Sequence, residues 1–152
     1  MKRVLKITGL VIVLLIILSI TACAISISFA NDYSADKTAK EIKEIPLPEN
    51  TEFVELISRA GKFTGNGNGM QYFGAMLIKS DLSLVELDEY YSAYRENEWD
   101  YVVEVQDSRE VECIEHSHIW FSTDVEPSES YYIVYSWGSA VSPLGDFDLR
   151  GH

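Results

Sequence analysis

No charged side chain occurs anywhere in residues 7–30. Wound as a helix at roughly 1.5 Å per residue, such a stretch reaches about 36 Å, enough to cross a hydrocarbon layer of about 30 Å. A helix can lie in lipid because its backbone hydrogen bonds close within the segment. Lys2, Arg3 and Lys6 precede the stretch, while Asp32 and Asp36 come after it. That asymmetry predicts an N-terminal end of residues 1–6 on the cytoplasmic side and everything after residue 30 outside. The lipid bilayer, met through residues 7–30, is therefore the first expected partner.

Three processing fates fit this segment. An uncleaved signal anchor needs only its length and flanking charge. A cleaved secretory signal needs small residues at the cut, and Ser28-Phe29-Ala30 ahead of Asn31 supplies them. Ile20-Thr21-Ala22-Cys23 is similar to the bacterial lipoprotein signal, which implies lipidation at Cys23. The apolar run from Ala24 to Ala30 departs from the polar tether that continues such a cysteine, and the anchor is the favoured fate. All three place the remainder of the chain outside the cytoplasm.

The exported part is acidic. All 24 Asp and Glu residues lie beyond residue 30, against nine Lys and Arg, a formal charge of −15. Such a surface repels nucleic acid, whose recognition needs Lys and Arg to neutralise phosphate. The only cysteines are Cys23 and Cys113, so a disulfide framework is absent. Residues 31–45 read as a charged juxtamembrane linker, and Pro46-Leu47-Pro48 ends any helix there. One domain is expected over residues 46–142, with an irregular tail at 143–152.

Within that domain, residues 51–63 and 70–79 read as strands joined by a glycine-rich turn, Gly65-Asn66-Gly67-Asn68-Gly69. Asn-Gly pairs favour the positive φ that a hairpin turn requires. Ser83 and Glu86 form a capping box, with Leu82 and Leu87 placed as a hydrophobic staple. Leu84, Leu87, Tyr91 and Tyr94 recur at helical spacing. Residues 99–106, 110–121 and 131–137 read as three more strands. The order β-β-α-β-β-β predicts an α+β fold of two layers, an antiparallel sheet of about five strands with one helix on one face.

Motifs that carry chemistry are scarce. The glycine-rich turn lacks the Lys-Ser/Thr of a phosphate loop and precedes a strand rather than a helix. No calcium loop and no nucleophile elbow is present. A glycosidase needs two carboxylates across a sugar cleft, which a domain under about a hundred residues has little room to build. His116 and His118, two apart, would share a strand face with Glu112, and with a third ligand from Glu112 or His152 they could hold a transition metal. No other cofactor is indicated.

The strongest surface signal is aromatic. Tyr131, Tyr132, Tyr135 and Trp137 cluster on the last strand. One helix covers one face of a sheet, so Tyr131, Tyr135 and Trp137 are candidates for a partner contact on the other. The competing expectation is coverage by the tail, through Val141, Leu144, Phe147 and Leu149.

The sequence from Ile45-Pro46-Leu47-Pro48, through Leu84-Val85-Glu86-Leu87 and Tyr90-Tyr91, to Trp99 resembles small uncharacterised bacterial membrane-anchored or lipoprotein-type proteins. The likeness lies in a proline-bounded entry, a capped helix with a tyrosine pair, and a tryptophan opening the next strand. It implies a fold and a location, with no activity attached. The expected role is a membrane-tethered, extracytoplasmic, non-catalytic binding or accessory domain that meets a protein or cell-wall partner. The alternatives are a metal-binding sensor or enzyme built on His116 and His118, and a membrane-bound self-association module.

Overall fold

The computed structural model describes residues 2–65, 69–114, 118–127, 130–139 and 145–151. Its longest element is one unbroken helix, α1 (Lys2–Glu44), of 43 residues. At about 1.5 Å per residue it extends about 65 Å. Its first part contains an 18-residue stretch of mean hydropathy 3.0, none of it buried, and by length and composition it can cross a membrane.

The second part of α1 behaves differently. Asn31, Ala35, Ala39 and Ile42 are buried at spacings of four, four and three, which lines one helical face. Lys37 and Glu41 pair at 3.3 Å on the opposite, exposed face. Within the expected juxtamembrane linker, 31–45, residues 31–44 are helix that lies on the sheet. Pro46 and Pro48 come just after the helix end.

Four strands make the sheet, in the order β1-β2-β4-β3 and all antiparallel: β1 (Thr51–Gly61), β2 (Gln71–Ser80), β3 (Val102–Val105) and β4 (Tyr131–Ser139). The β1–β2 pairing expected around the glycine-rich turn is present, with Gly61 opposite Gln71; Asn66, Gly67 and Asn68 lie outside the described residues. Helix α2 (Leu84–Ser92) starts at the expected capping box, with Ser83 and Glu86 bonded to each other's backbone amides. Leu87 and Tyr91 are buried, while Leu84 and Tyr94 stay largely exposed.

The sheet has four strands rather than five because residues 110–121 do not run straight. Val111 donates to the Ile119 carbonyl at 2.9 Å and Phe121 to that of Arg109 at 2.9 Å, so the segment doubles back on itself. Among the described residues, an isolated bridge, Glu110 to Trp120, is what remains of the expected strand. Glu112 lies exposed in a turn, so the strand alternation that placed it on one face with His118 does not operate.

Both sheet faces are covered. On one, α1 and α2 pack Ile42, Leu87 and Tyr91 against Met76, Ile78, Val103 and Val134. On the other, Val111, Ile114, Ile119, Phe121 and Val125 of the folded-back segment pack with Phe63 against Phe73, Leu77, Ile133 and Tyr135. The arrangement is α+β with a third, irregular layer.

Gly74 sets the distance between α1 and β2. A Cβ there would lie 2.4 Å from the Ala39 amide nitrogen, so only glycine admits this approach. In β1 a bulge at Val54 changes the facing of the strand: Phe53 pairs with Ile78 and Glu55 with Leu77. Phe53 therefore lies on the helical side, under the Lys43 ammonium at 4.4 Å, and Glu55 is turned to the other.

Candidate functional site

A cleft of about 590 Å³ opens between α1, the turn after α2 and the end of β4. Its walls include Glu41 of α1, Tyr72 of β2, Glu96, Trp99 and Asp100 of the turn, and Trp137 of β4.

The turn at residues 95–101 is built by local polar contacts. Trp99 N–H donates to Asn97 Oδ1 at 3.1 Å, and the Asn97 amide donates to Asp100 Oδ2 at 3.2 Å. Arg95 fastens the turn to α2: its guanidinium pairs with Asp88, while Nε donates to the Asp100 carbonyl at 3.0 Å and Nη2 to that of Tyr101 at 3.2 Å. Tyr101 sits at φ 52°, an uncommon value for a tyrosine, and its amide donates to Ser136 Oγ at 2.9 Å. The kink delays regular β3 pairing until Val102.

Trp99 and Trp137 meet across this junction. Their ring centroids are 4.9 Å apart at 64°, an edge-to-face pair, and the Trp137 amide donates to the Trp99 carbonyl at 3.2 Å. Trp99 is exposed and Trp137 half-buried, so the pair offers aromatic surface beside carboxylates. The cleft is electronegative: burial first, and then the charges of Asp100, Glu41 and Glu96, raise the Tyr101 phenol above its ordinary value. Such a site favours a ligand that carries positive charge and some apolar surface.

The other residues singled out in the sequence fall elsewhere. Tyr131 and Tyr135 are buried beneath the folded-back segment, which overturns their expected place on an open sheet face. Tyr135 donates from its hydroxyl to Glu104 Oε1 at 2.7 Å, and burial with that bond raises its pKa. Of the tail residues expected to cover this face, Phe147 and Leu149 are exposed and do not cover it, and Val141 and Leu144 lie outside the described residues. Of the expected aromatic contact only Trp137 remains accessible.

His118 is exposed and stacks on Trp120 at 5.6 Å between centroids, with Nδ1 4.0 Å from Glu110. His116 and His152 lie outside the described residues. Among the described residues no three His, Cys, Asp or Glu side chains converge as a metal site. Cys23 is exposed on the apolar part of α1. Cys113 is half-buried, and burial, aided by Glu104, pushes its thiol up to about 12, where it is a poor nucleophile.

Sequence reasoning misses the pairing of Trp99 with Trp137 and the contribution of Glu41. Trp99 is visible as the opening of a strand, but its place beside Trp137 depends on the β3–β4 register. Comparison with known families, curated proteins and solved structures finds no match.

Proposed function

We propose that this chain is a membrane-tethered binding or accessory domain, non-catalytic, that holds a partner in the Trp99–Trp137 cleft at a fixed height above the bilayer. Residues 7–30 span the membrane, the cationic end stays in the cytoplasm, and the sheet stands outside. The partner is a protein or cell-wall component that presents a cationic group next to apolar surface. The resemblance to small bacterial membrane-anchored proteins supports the same address.

One observation carries the reading. The cleft is walled by α1, and α1 runs without a break from its apolar part into the part that supports the sheet. A ligand in the cleft is therefore held by the element that would anchor the protein.

The test uses the full chain in native membranes, with amine-reactive crosslinking from the cleft carboxylates after carbodiimide activation. Trp99→Ser and Trp137→Ser are compared with Trp120→Ser, an exposed tryptophan outside the cleft. Loss of a crosslinked species in the first two and its retention in the third supports the reading. Equal capture by all three removes the cleft as the contact. Recovery of the intact chain in the soluble fraction without detergent removes the tether.

A further inference from the structure

The last described residues form two short 3-10 turns, Gly145–Phe147 and Leu149–Gly151, fastened to α1 at one level. Arg150 donates from Nη2 to the Ser28 carbonyl at 3.0 Å and from Nη1 to Asp32 at 2.7 Å. Asp148 accepts from Asn31 Nδ2 at 2.9 Å and pairs with Arg150 at 2.8 Å. Tyr72 completes the network by donating from its hydroxyl to Asn31 Oδ1 at 2.7 Å. Asn31 and Asp148 are only 1 % and 2 % exposed, so these polar groups are satisfied inside the protein.

The clasp also holds the sheet. The Gly69 amide donates to the Gly151 carbonyl at 2.7 Å, and that of Lys62 to the Arg150 carbonyl at 3.2 Å. The turns are thus fixed between the β1–β2 end of the sheet and residues 28–32 of α1. That is the helical turn at which the uncharged stretch stops and the acidic residues begin.

With Asp148 and Arg150 held inward, Phe147 and Leu149 point away. They are 68 % and 83 % exposed, among the described residues the two highest values for large apolar side chains beyond the apolar part of α1 save Val85. On α1 at the same level, Ile25, Phe29 and Tyr33 form an exposed stripe at spacings of four. A shallow groove lined by Ile25, Ser28, Phe29 and Asp32 runs along that stripe.

We propose that Phe147 and Leu149 enter the interfacial layer of the bilayer beside the emerging helix, so that the tail is a second membrane contact. The proposal rests on residues 7–30 being a membrane span. The surface it uses is continuous with that span, and its occupant is lipid. Aromatic and aliphatic side chains at this depth exchange water for the acyl boundary, while their polar neighbours remain bonded to protein. The exported part carries a formal charge of −15, so attraction to anionic head groups is not the source of binding, and a zwitterionic bilayer suffices.

The experiment places the full chain in phosphatidylcholine vesicles, in a Cys23→Ala, Cys113→Ala background. Nitroxide labels are attached at Phe147→Cys, Leu149→Cys, Val105→Cys or Ile16→Cys, one at a time. Depth is read from relaxation by oxygen against relaxation by a water-soluble nickel chelate. The labels at 147 and 149 should show an oxygen-to-nickel ratio several-fold above that at 105, which lies on the exposed edge strand β3. Ratios at 147 and 149 equal to that at 105, with 16 deep in lipid, overturn the proposal and leave the span standing. A label at 16 open to nickel removes the span, and this inference with it.

Discussion

The two faces of the sheet are closed by different means. On one, helices α1 and α2 bring cover whose backbone hydrogen bonds are already made. On the other, the cover is the irregular segment 109–125, whose backbone bonds include those from Val111 to Ile119 and from Phe121 to Arg109. Side chains supply others. Glu55 accepts from the Ser122 and Thr123 amides, each at 2.9 Å. Gln106 donates to the Ser108 and Glu110 carbonyls at 2.6 and 2.7 Å, and Arg109 to that of Phe121 at 3.1 Å. A loop can serve as a core layer when neighbouring strands lend it hydrogen-bond partners, because unpaired buried backbone groups are costly.

The contrast breaks most sharply at Phe121, the fully buried aromatic of the loop. Phe121→Ala should cost about 3–5 kcal/mol, from lost burial and the cavity left behind. Hydrogen exchange should show residues 109–125 losing protection while the amides of residues 31–44 of α1, on the helical face, keep theirs. Equal loss on both faces would mean that the layers fold as one unit.

The matching break on the helical face is Gly74→Ala. The added methyl meets the Ala39 backbone, and overpacking of that kind costs about 1–3 kcal/mol. Residues 31–44 of α1 should lift from β2, seen as faster exchange of the Ala35 and Ala39 amides. Unaltered exchange and stability would show that the helix adjusts freely.

Glu55 tests how far side chains support the loop. Burial raises its pKa, but the bonds from Ser122 and Thr123 outweigh this, and the net shift is downward. A carboxyl depressed by folding stabilises the protein above its ordinary pKa and loses that contribution as pH falls through the depressed value. Glu55→Gln should cost about 1 kcal/mol at neutral pH, and the difference should vanish on acidification. Thermal unfolding at several pH values checks this, and a gap that widens in acid would contradict the assignment.

The smallest effect is expected at Tyr91, whose hydroxyl is buried without a hydrogen-bond partner among the described residues. Tyr91→Phe removes a desolvated polar group and should be neutral or stabilising by up to about 1 kcal/mol. A clear loss of stability in the same unfolding assay would reveal an unseen partner for that hydroxyl.

Local signals carry much of this fold. The capping box at Ser83 and Glu86 and the pairing of β1 with β2 depend on residues close in sequence, and both are readable there. The docking of residues 31–44 is harder. Ala35, Ala39 and Ile42 have helical spacing, but small side chains among charged ones give a weak apolar signal. Gly74 inside a strand is the clue to a close backbone approach. Residues 110–121 mislead because the segment folds back on itself, Val111 bonding to Ile119 and Phe121 to Arg109, which no local period signals. The cleft is least legible, because Trp99 and Trp137 meet only through the sheet's long-range register.

Because α1 has no joint between its two parts, geometry at one end is transmitted to the other. A helix advances about 100° and 1.5 Å with each residue. One residue added ahead of Ser28, outside the contacts that fasten the tail, would swing the sheet roughly a quarter-turn about the helix axis relative to the apolar part of α1 and raise it slightly. The azimuth of the sheet about the apolar part of α1 is thus a property of residue count, and under the proposed function length variants of the helix would act as a compass for the proposed partner's position.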